Sequence, residues 1–497
     1  MNNSNSERIK AFLLDNIVVI LFLGIAIFGI TASGGGITGN YTVYFISFFS
    51  ELIERVFRNS FLVISLMIPV IAGLGLNFGI VIGAIAAQSV ILLLRYHQFY
   101  LEMSGIAEFL LALLLSLPLA ILFGWLTGKL YNKVRGQEMI AGMIVSYFAA
   151  GVYNLVFLFI VGYVIEVDKL NPIIAPANLE GLAVGVRMTV DMGVMTGAID
   201  NIIRIPFMFF IMICAITMAC YIVFTQVRKF NRDRKVLLSP LCALVFITAI
   251  VVWNGLGSMN RVAAVLGFLG VAAQMCFLLY FTFRHKRENP DYTVQNKASL
   301  SFNCVLCSGM MLWAVYNIIM NTFMMRVRQA PFATALLFAV LFIFLSYIMK
   351  TKLGQDFRAV GQSQHIAEVS GINVKRTRII ATIFSTVLAA WGMVIFLQNM
   401  GTLTTYDSHR HVGFFSVAAI LVGGASTSRA NLRNVITGLI LFHAMTIVTP
   451  DIARIFFGDT PGVAEYLRSF MVYGVIGLAL GLYVWKTLKA SQSQNSL

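Results

Sequence analysis

The feature that most constrains this chain is the return, all along its length, of apolar runs long enough to cross a bilayer. A spanning helix needs about 20 mostly apolar residues, since each adds about 1.5 Å across about 30 Å of hydrocarbon. Such runs recur from Ala11 to Lys486 with no long polar domain between them. They predict an all-α polytopic membrane protein of about fourteen transmembrane helices. The runs lie near 11–31, 59–75, 76–94, 106–128, 139–163, 205–226, 236–254, 262–283, 302–322, 331–349, 378–399, 412–425, 434–449 and 467–486. Composition excludes a water-soluble globule: 59% of residues are hydrophobic and 11% charged, against about 25% charged in soluble domains. The first run is too long for a leader's apolar core and reads as a retained span.

Basic residues concentrate on the cytoplasmic side of membrane proteins. Cytoplasmic N- and C-termini put the clusters Lys129/Lys133/Arg135, Arg228/Lys229/Arg232/Arg234/Lys235, Arg284/Lys286/Arg287, Lys350/Lys352/Arg358 and Lys375/Arg376/Arg378 all inside. The net charge of +15 is then an inner-face charge and calls for no nucleic acid. The longest outer loop, Glu166 to Arg204, carries Asn171-Pro172 and Pro176 and is a landing place for an extracytoplasmic partner. Between the second and third runs, the small-residue stretch Gly73 to Gly79 reads as a broken or re-entrant helix. Irregular backbone at membrane depth is tolerated where protein buries it or a watery cavity borders it. A faint repeat, Ile205-Pro206-Phe207 and Ala330-Pro331-Phe332, opens the sixth and tenth runs.

The chemistry of an ATPase is absent from the sequence: Gly128-Lys129 lacks the rest of a phosphate loop. The pair His409/His411 beside Asp407 has zinc-ligand chemistry, but reads more simply as a short outer loop. Cys304-x-x-Cys307 reads as two buried thiols. Of the acids, Asp15 is the one plausible intramembrane carboxylate, with Glu108 and Glu138 near span ends; an ion-coupled carrier usually keeps buried acids or paired broken helices, and this sequence shows neither clearly. Neutral polar groups are more plentiful: Asn77, Gln88, Tyr147, Asn154, Gln274, Asn317, Asn321, Gln398 and Asn399. Amides and hydroxyls bind an uncharged polar solute without the penalty of a buried charge, though each also serves as an interhelical hydrogen bond. Asn77, Gln88, Tyr147 and Asn154 are the candidate pathway residues. Spacings such as Gly79-x-x-x-Gly83 and Gly477-x-x-x-Gly481 suit close helix packing.

The segment 350–377 is too long for a bare connector and suits a short helix across the membrane face. Ser363 is placed to cap its start and Gly371 to end it in a left-handed turn. Here Phe357-Arg358-Ala359-Val360-Gly361, followed by Ala367-Glu368 and Gly371-Ile372-Asn373-Val374-Lys375-Arg376, resembles the coupling loop of permease subunits from bacterial ABC importers. The branch is the one for simple sugars, nucleosides and branched-chain amino acids, most similar to its nucleoside and simple-sugar permeases. Glu138 to Tyr147 and Gly413 to Gly424 resemble the same family, and the likeness runs over about 59–165 and 331–486.

The resemblance implies a non-enzymatic transport subunit in the bacterial inner membrane that carries a nucleoside, a purine-like compound or a simple sugar. It holds no cofactor itself; ATP and Mg are used by separate cytoplasmic ATPase subunits. The other partners are a second permease, identical or related, an extracytoplasmic solute-binding protein and the lipid bilayer. ATPase contacts fall on Arg358, Gly361, Glu368, Gly371 and Asn373. The expected organisation is a first span and outer loop (1–58), a first permease part (59–204), an inserted four-helix region (205–330) and a second permease part (331–497). The alternatives are an ion-coupled secondary transporter working without an ATPase, or a membrane scaffold without an aqueous pathway.

Overall fold

The computed structural model describes residues 17–36, 41–98, 102–134, 136–165, 171, 173–174, 185–203, 205–230, 297–319, 329–425 and 430–458, then 460, 462–463, 465–474, 477 and 481. The predicted runs 236–254 and 262–283 lie outside these residues, as do Asp15, Gln274, Asn321 and most of the loop 166–184. The described chain is mostly helical: α1 (Ile17–Gly36), α2 (Tyr41–Ile71), α3 (Ile80–Tyr96), α4 (Gly105–Lys133), α5 (Glu138–Asn154), α6 (Phe207–Phe230), α7 (Lys297–Ile319), α8 (Phe332–Ile348), α9 (Lys352–Gln362), α10 (Gln364–Val369), α11 (Val374–Met400), α12 (Ser408–Val422) and α13 (Leu432–Phe457). By length and composition, four described segments can cross a membrane: Gly105–Lys133, Glu138–Ile160, Val374–Met400 and Leu432–Phe457. A fifth is Phe332–Ile348 with Lys352–Gln362, if that pair, bent by 72°, is one span.

Two compact units divide the chain: Met1–Ile202 with Ala333–Leu497, and Ile203–Phe332. In the larger unit α11 is the central helix, packed against α4, α2 and α3, while α13 packs on α1, α2 and α12. Close approach of α4 to α11 depends on Gly124 and Gly128, one turn apart. A Cβ there would sit 2.8 Å from the Ile383 Cα and 3.0 Å from the Ile379 Cα. Small residues at a crossing let helix backbones meet, which is how apolar helices gain packing in a solvent as apolar as themselves.

One boundary differs from the sequence reading. Residues 41–58, expected in an outer loop, form the first half of α2. The charges that suggested a loop are paired one turn apart, Glu51 with Arg55 at 2.6 Å and Glu54 with Arg58 at 4.0 Å. On the same helix Tyr44, Phe48 and Leu52, spaced by four, bury against Ala444 and Val448 of α13. Helical pairing and an apolar stripe together carry the helix through its polar turn.

At the far end of α4, β1 (Thr189–Asp191) pairs antiparallel with β4 (Thr402–Thr404). This seats the described part of the long loop on the α11–α12 connection. In the smaller unit, β2 (Ile205–Pro206) pairs with β3 (Gln329–Ala330), so the two repeat-like segments meet as partner strands. There α6 and α7 pack together, with Cys307 Sγ donating to the Ala215 carbonyl at 3.1 Å.

Candidate functional site

The predicted break is present. Helix α2 ends at Ile71, Gly73 (φ 73°) and Gly75 (φ 72°) turn left-handed, and α3 begins at Ile80. Glycine takes that conformation without steric cost. The turn is stapled from three helices. Asn77 Oδ1 accepts from the Tyr131 hydroxyl at 2.7 Å and from the Gly79 N–H at 2.9 Å, and its Nδ2 donates to Ser385 Oγ at 3.1 Å. Ser146 donates to the Phe78 carbonyl at 2.6 Å. Asn77, expected on the pathway, is 2% exposed, and all these partners belong to the protein: its amide holds the break in shape.

The segment 350–377 folds as two helices. Ser363 accepts from the Ile366 N–H at 3.3 Å and caps α10, and Gly371 (φ 81°) follows it, both as the sequence predicts. A further helix, α9, precedes Ser363 and buries Phe357 and Val360. Asn373 caps α11, accepting from the Arg376 N–H at 3.0 Å, and Arg358 donates to the Met349 carbonyl. Glu368 is exposed, as are Ile366 (66%) and Val369 (77%) beside it. Gly361 lies against the break itself. A Cβ on Gly361 would be 2.0 Å from the Ile71 carbonyl oxygen, and one on Gly73 would be 2.9 Å from the Gly361 Cα. The surface helices therefore touch the helix break backbone to backbone.

A second link runs through Arg378, fully buried on α11. It pairs with Glu138 at the start of α5, donates to the Tyr131 carbonyl at 3.2 Å and reaches Gln364 Oε1 of α10 at 3.5 Å. Tyr131 in turn holds Asn77. Glu138 reads in the sequence as a span-end acid and Arg378 as one more basic residue of the inner face; only folding joins them. At the far end of α4 a matching pair, Arg95 and Glu108, meets at 3.1 Å, and Arg95 also donates to the Met192 carbonyl.

The remaining candidates lie on or beside α5. Gln88 is fully buried and its Oε1 meets His409 Nδ1 at 2.9 Å. His409 and His411 lie on the first turn of α12 and not in a loop. Among the described residues no three metal-ligating side chains converge. The His409 ring stands edge-on to Tyr153, centroids 5.0 Å apart. Tyr147 is 55% exposed and tilts against Phe414 at 6.5 Å. Asn154 ends α5, where the helix passes into a π-helical turn, Leu155–Ile160. Gln398 donates to Asp200 at 3.0 Å and Asn399 accepts from Arg58 at 2.8 Å, so both serve the packing. Beyond the helices, Tyr406 donates to the Val186 carbonyl at 2.6 Å. Burial pushes its hydroxyl up to about 12, so it remains a donor at physiological pH.

Several spanning-length helices, with a stapled break between α2 and α3 and the helix α9 packed on it, mark a multi-pass membrane protein. Residues 181–480 match the family model described as "Branched-chain amino acid transport system / permease component", and the chain belongs to that family. The match starts beyond the first block of resemblance, 59–165, and runs through 205–330. Among curated proteins, the chain is similar to the nucleoside ABC transporter permease protein NupC of Lactococcus lactis subsp. cremoris, with 30% identity over 27% of this chain and 41% of the relative. It is also similar to the xylose transport system permease protein XylH of Haemophilus influenzae, at 29% over 35% of this chain and 44% of the relative. The galactose/methyl galactoside import permease protein MglC of Haemophilus influenzae matches at 27% over 32% of this chain and 45% of the relative. The chain thus spans less than half the length of each of these relatives in the matched regions. No solved structure matches.

Proposed function

We propose that this chain is the membrane-spanning permease subunit of an ATP-driven importer in the bacterial cytoplasmic membrane, with both termini cytoplasmic and about fourteen spans. The observation that carries the reading is the packing of α9 on the break, with Gly361 against Ile71 and Gly73. A force applied to the exposed α10, whose Ile366 and Val369 face outward from the fold, passes through that contact to the point where α2 and α3 are discontinuous. Cytoplasmic ATPase subunits, binding ATP and Mg, supply the force by holding two states of the permease with different affinity. Arg358, Gly361, Glu368, Gly371 and Asn373 belong to this coupling face: the glycines and Asn373 shape it, and Glu368 meets the ATPase.

The cargo is a nucleoside, a purine-like compound or a simple sugar, by analogy with the relatives' names and with the neutral polar groups of α3 and α5. A second permease and an extracytoplasmic solute-binding protein complete the importer, the latter docking on the loop 166–204. Residues 205–330 are an insertion between the two permease parts. Purification of the full chain from its native membrane in mild detergent tests the assignment. An ATPase should co-purify and be lost when Glu368 and Gly371 are replaced by Trp. Transport by the chain alone, driven by an ion gradient, would establish a secondary carrier instead.

A further inference from the structure

A narrow hollow between α5 and α12 brings a charged residue to membrane depth. Its walls include Phe78 of the break, Ser146 and Tyr147 of α5, and Arg410 and Phe414 of α12. Tyr147 stands near the middle of the 23-residue segment Glu138–Ile160. Arg410 Nε is buried without a partner. Its two terminal nitrogens also make no hydrogen bond or ion pair among the described residues, but they remain accessible from outside the protein. The Tyr147 hydroxyl has no partner there either, on a side chain 55% exposed. Rings continue the same face, with Phe414 at 6.5 Å from Tyr147 and 5.7 Å from Tyr473. Hydrocarbon is the wrong neighbour for this face. Lipid-facing tyrosines gather at the headgroup level and not at mid-span. A charged side chain in a span almost always pairs or faces a watery cavity, where it marks a solute pathway.

We propose that Arg410 and Tyr147 form the solute contact on this face, and that the solute carries a 6-oxopurine ring, as guanosine and inosine do. The assignment rests on the permease reading above and deepens it. A guanidinium fork donates two parallel hydrogen bonds to the neighbouring O6 and N7 acceptors of such a ring. Tyr147, Phe414 and Tyr473 offer faces on which it stacks. An adenine ring presents an amino donor in place of O6, and a guanidinium has no acceptor to meet it. A simple sugar brings several hydroxyl donors, for which the side chains lining the hollow offer only the Ser146 and Tyr147 oxygens. An amino acid brings an ammonium, and no described side chain lining the hollow is acidic. Ser146 also holds the Phe78 carbonyl at 2.6 Å, so the contact lies directly against the break on which α9 packs.

The test is uptake of radiolabelled guanosine and adenosine into proteoliposomes of the complete importer, with ATP inside and its solute-binding protein outside. The wild type should prefer guanosine. Arg410→Lys, which keeps the charge and loses the fork, should raise the KM for guanosine about tenfold with little change in kcat. Arg410→Gln exchanges the fork for an amide, which matches the N6 and N7 edge of adenine. It should lower the ratio of guanosine to adenosine uptake about tenfold or more. The ratio is taken within one preparation and with one binding protein, so neither poor folding nor the binding protein's own preference moves it. An unchanged ratio in Arg410→Gln would overturn the site. So would ATP-driven uptake of xylose or leucine by a complex that takes up no guanosine, which leaves the permease reading intact. Guanosine uptake that needs Arg410 but runs on an ion gradient without an ATPase sinks the permease reading and leaves the site standing.

Discussion

At its first turn α4 is held by Arg95 and Glu108, and at its last turn by Arg378 and Glu138 acting on Tyr131. Both pairs are buried, and both tie helix termini that would otherwise leave a charge in an apolar setting. They differ in what else they touch. Arg95 reaches the Met192 carbonyl, in a loop segment closed by the β1–β4 strand pair. Arg378 reaches Gln364, on a short surface helix whose Ile366 and Val369 are exposed. One pair closes onto a loop, and the other connects a surface helix to the bundle. A buried ion pair gives little net stability but costs much to break singly, so chemistry alone does not distinguish the two. Their neighbours do.

That contrast can be broken by matched substitutions. Arg378→Leu and Arg95→Leu should each destabilise the chain by about 3–5 kcal/mol, read as a lowered melting temperature in detergent. The conservative changes should then separate them: Arg378→Lys lowers ATP-driven uptake about tenfold or more while Arg95→Lys leaves it near wild type, as expected if one missing hydrogen bond on a moving element is worth about 1.4 kcal/mol. Equal losses of uptake at the two ends would remove the distinction. Gly361→Leu forces a side chain onto the Ile71 carbonyl and should cost about 1–3 kcal/mol, with uptake falling further than stability. Asn77→Ala strips the break of its partners and should cost about 1–3 kcal/mol, visible as faster proteolysis near 72–79. The smallest effect belongs to Asn373→Ala, about 1 kcal/mol for a lost helix cap, measured by the same melting curve.

Features set by neighbouring residues were legible in the sequence. Gly73 and Gly75 announce a break because left-handed turns demand glycine, and Ser363 and Gly371 mark the ends of α10 by a side-chain cap and a left-handed turn. The first half of α2 was not legible, since its charges read as a loop until Glu51–Arg55 and Glu54–Arg58 are seen as helical pairs beside a stripe of Tyr44, Phe48 and Leu52 packed over Ala444 and Val448. Least legible were contacts made by folding alone. Arg378 and Glu138 lie 240 positions apart, and Gln88 and His409 lie 321 apart. Nothing local distinguishes Arg378 from the other basic residues near it. Asn77 shows the converse: an amide in an apolar run suggests a ligand, whereas this one finds Tyr131, Gly79 and Ser385.

The most direct measurement places a photocrosslinking amino acid at Val369, on the exposed face of α10, and irradiates the full chain in its native membrane. The account predicts a crosslink to a cytoplasmic ATPase, weakened when Gly361 is replaced by Leu because the helix no longer seats against the break. Crosslinks to lipid alone, with uptake undiminished when ATP is depleted, would contradict it.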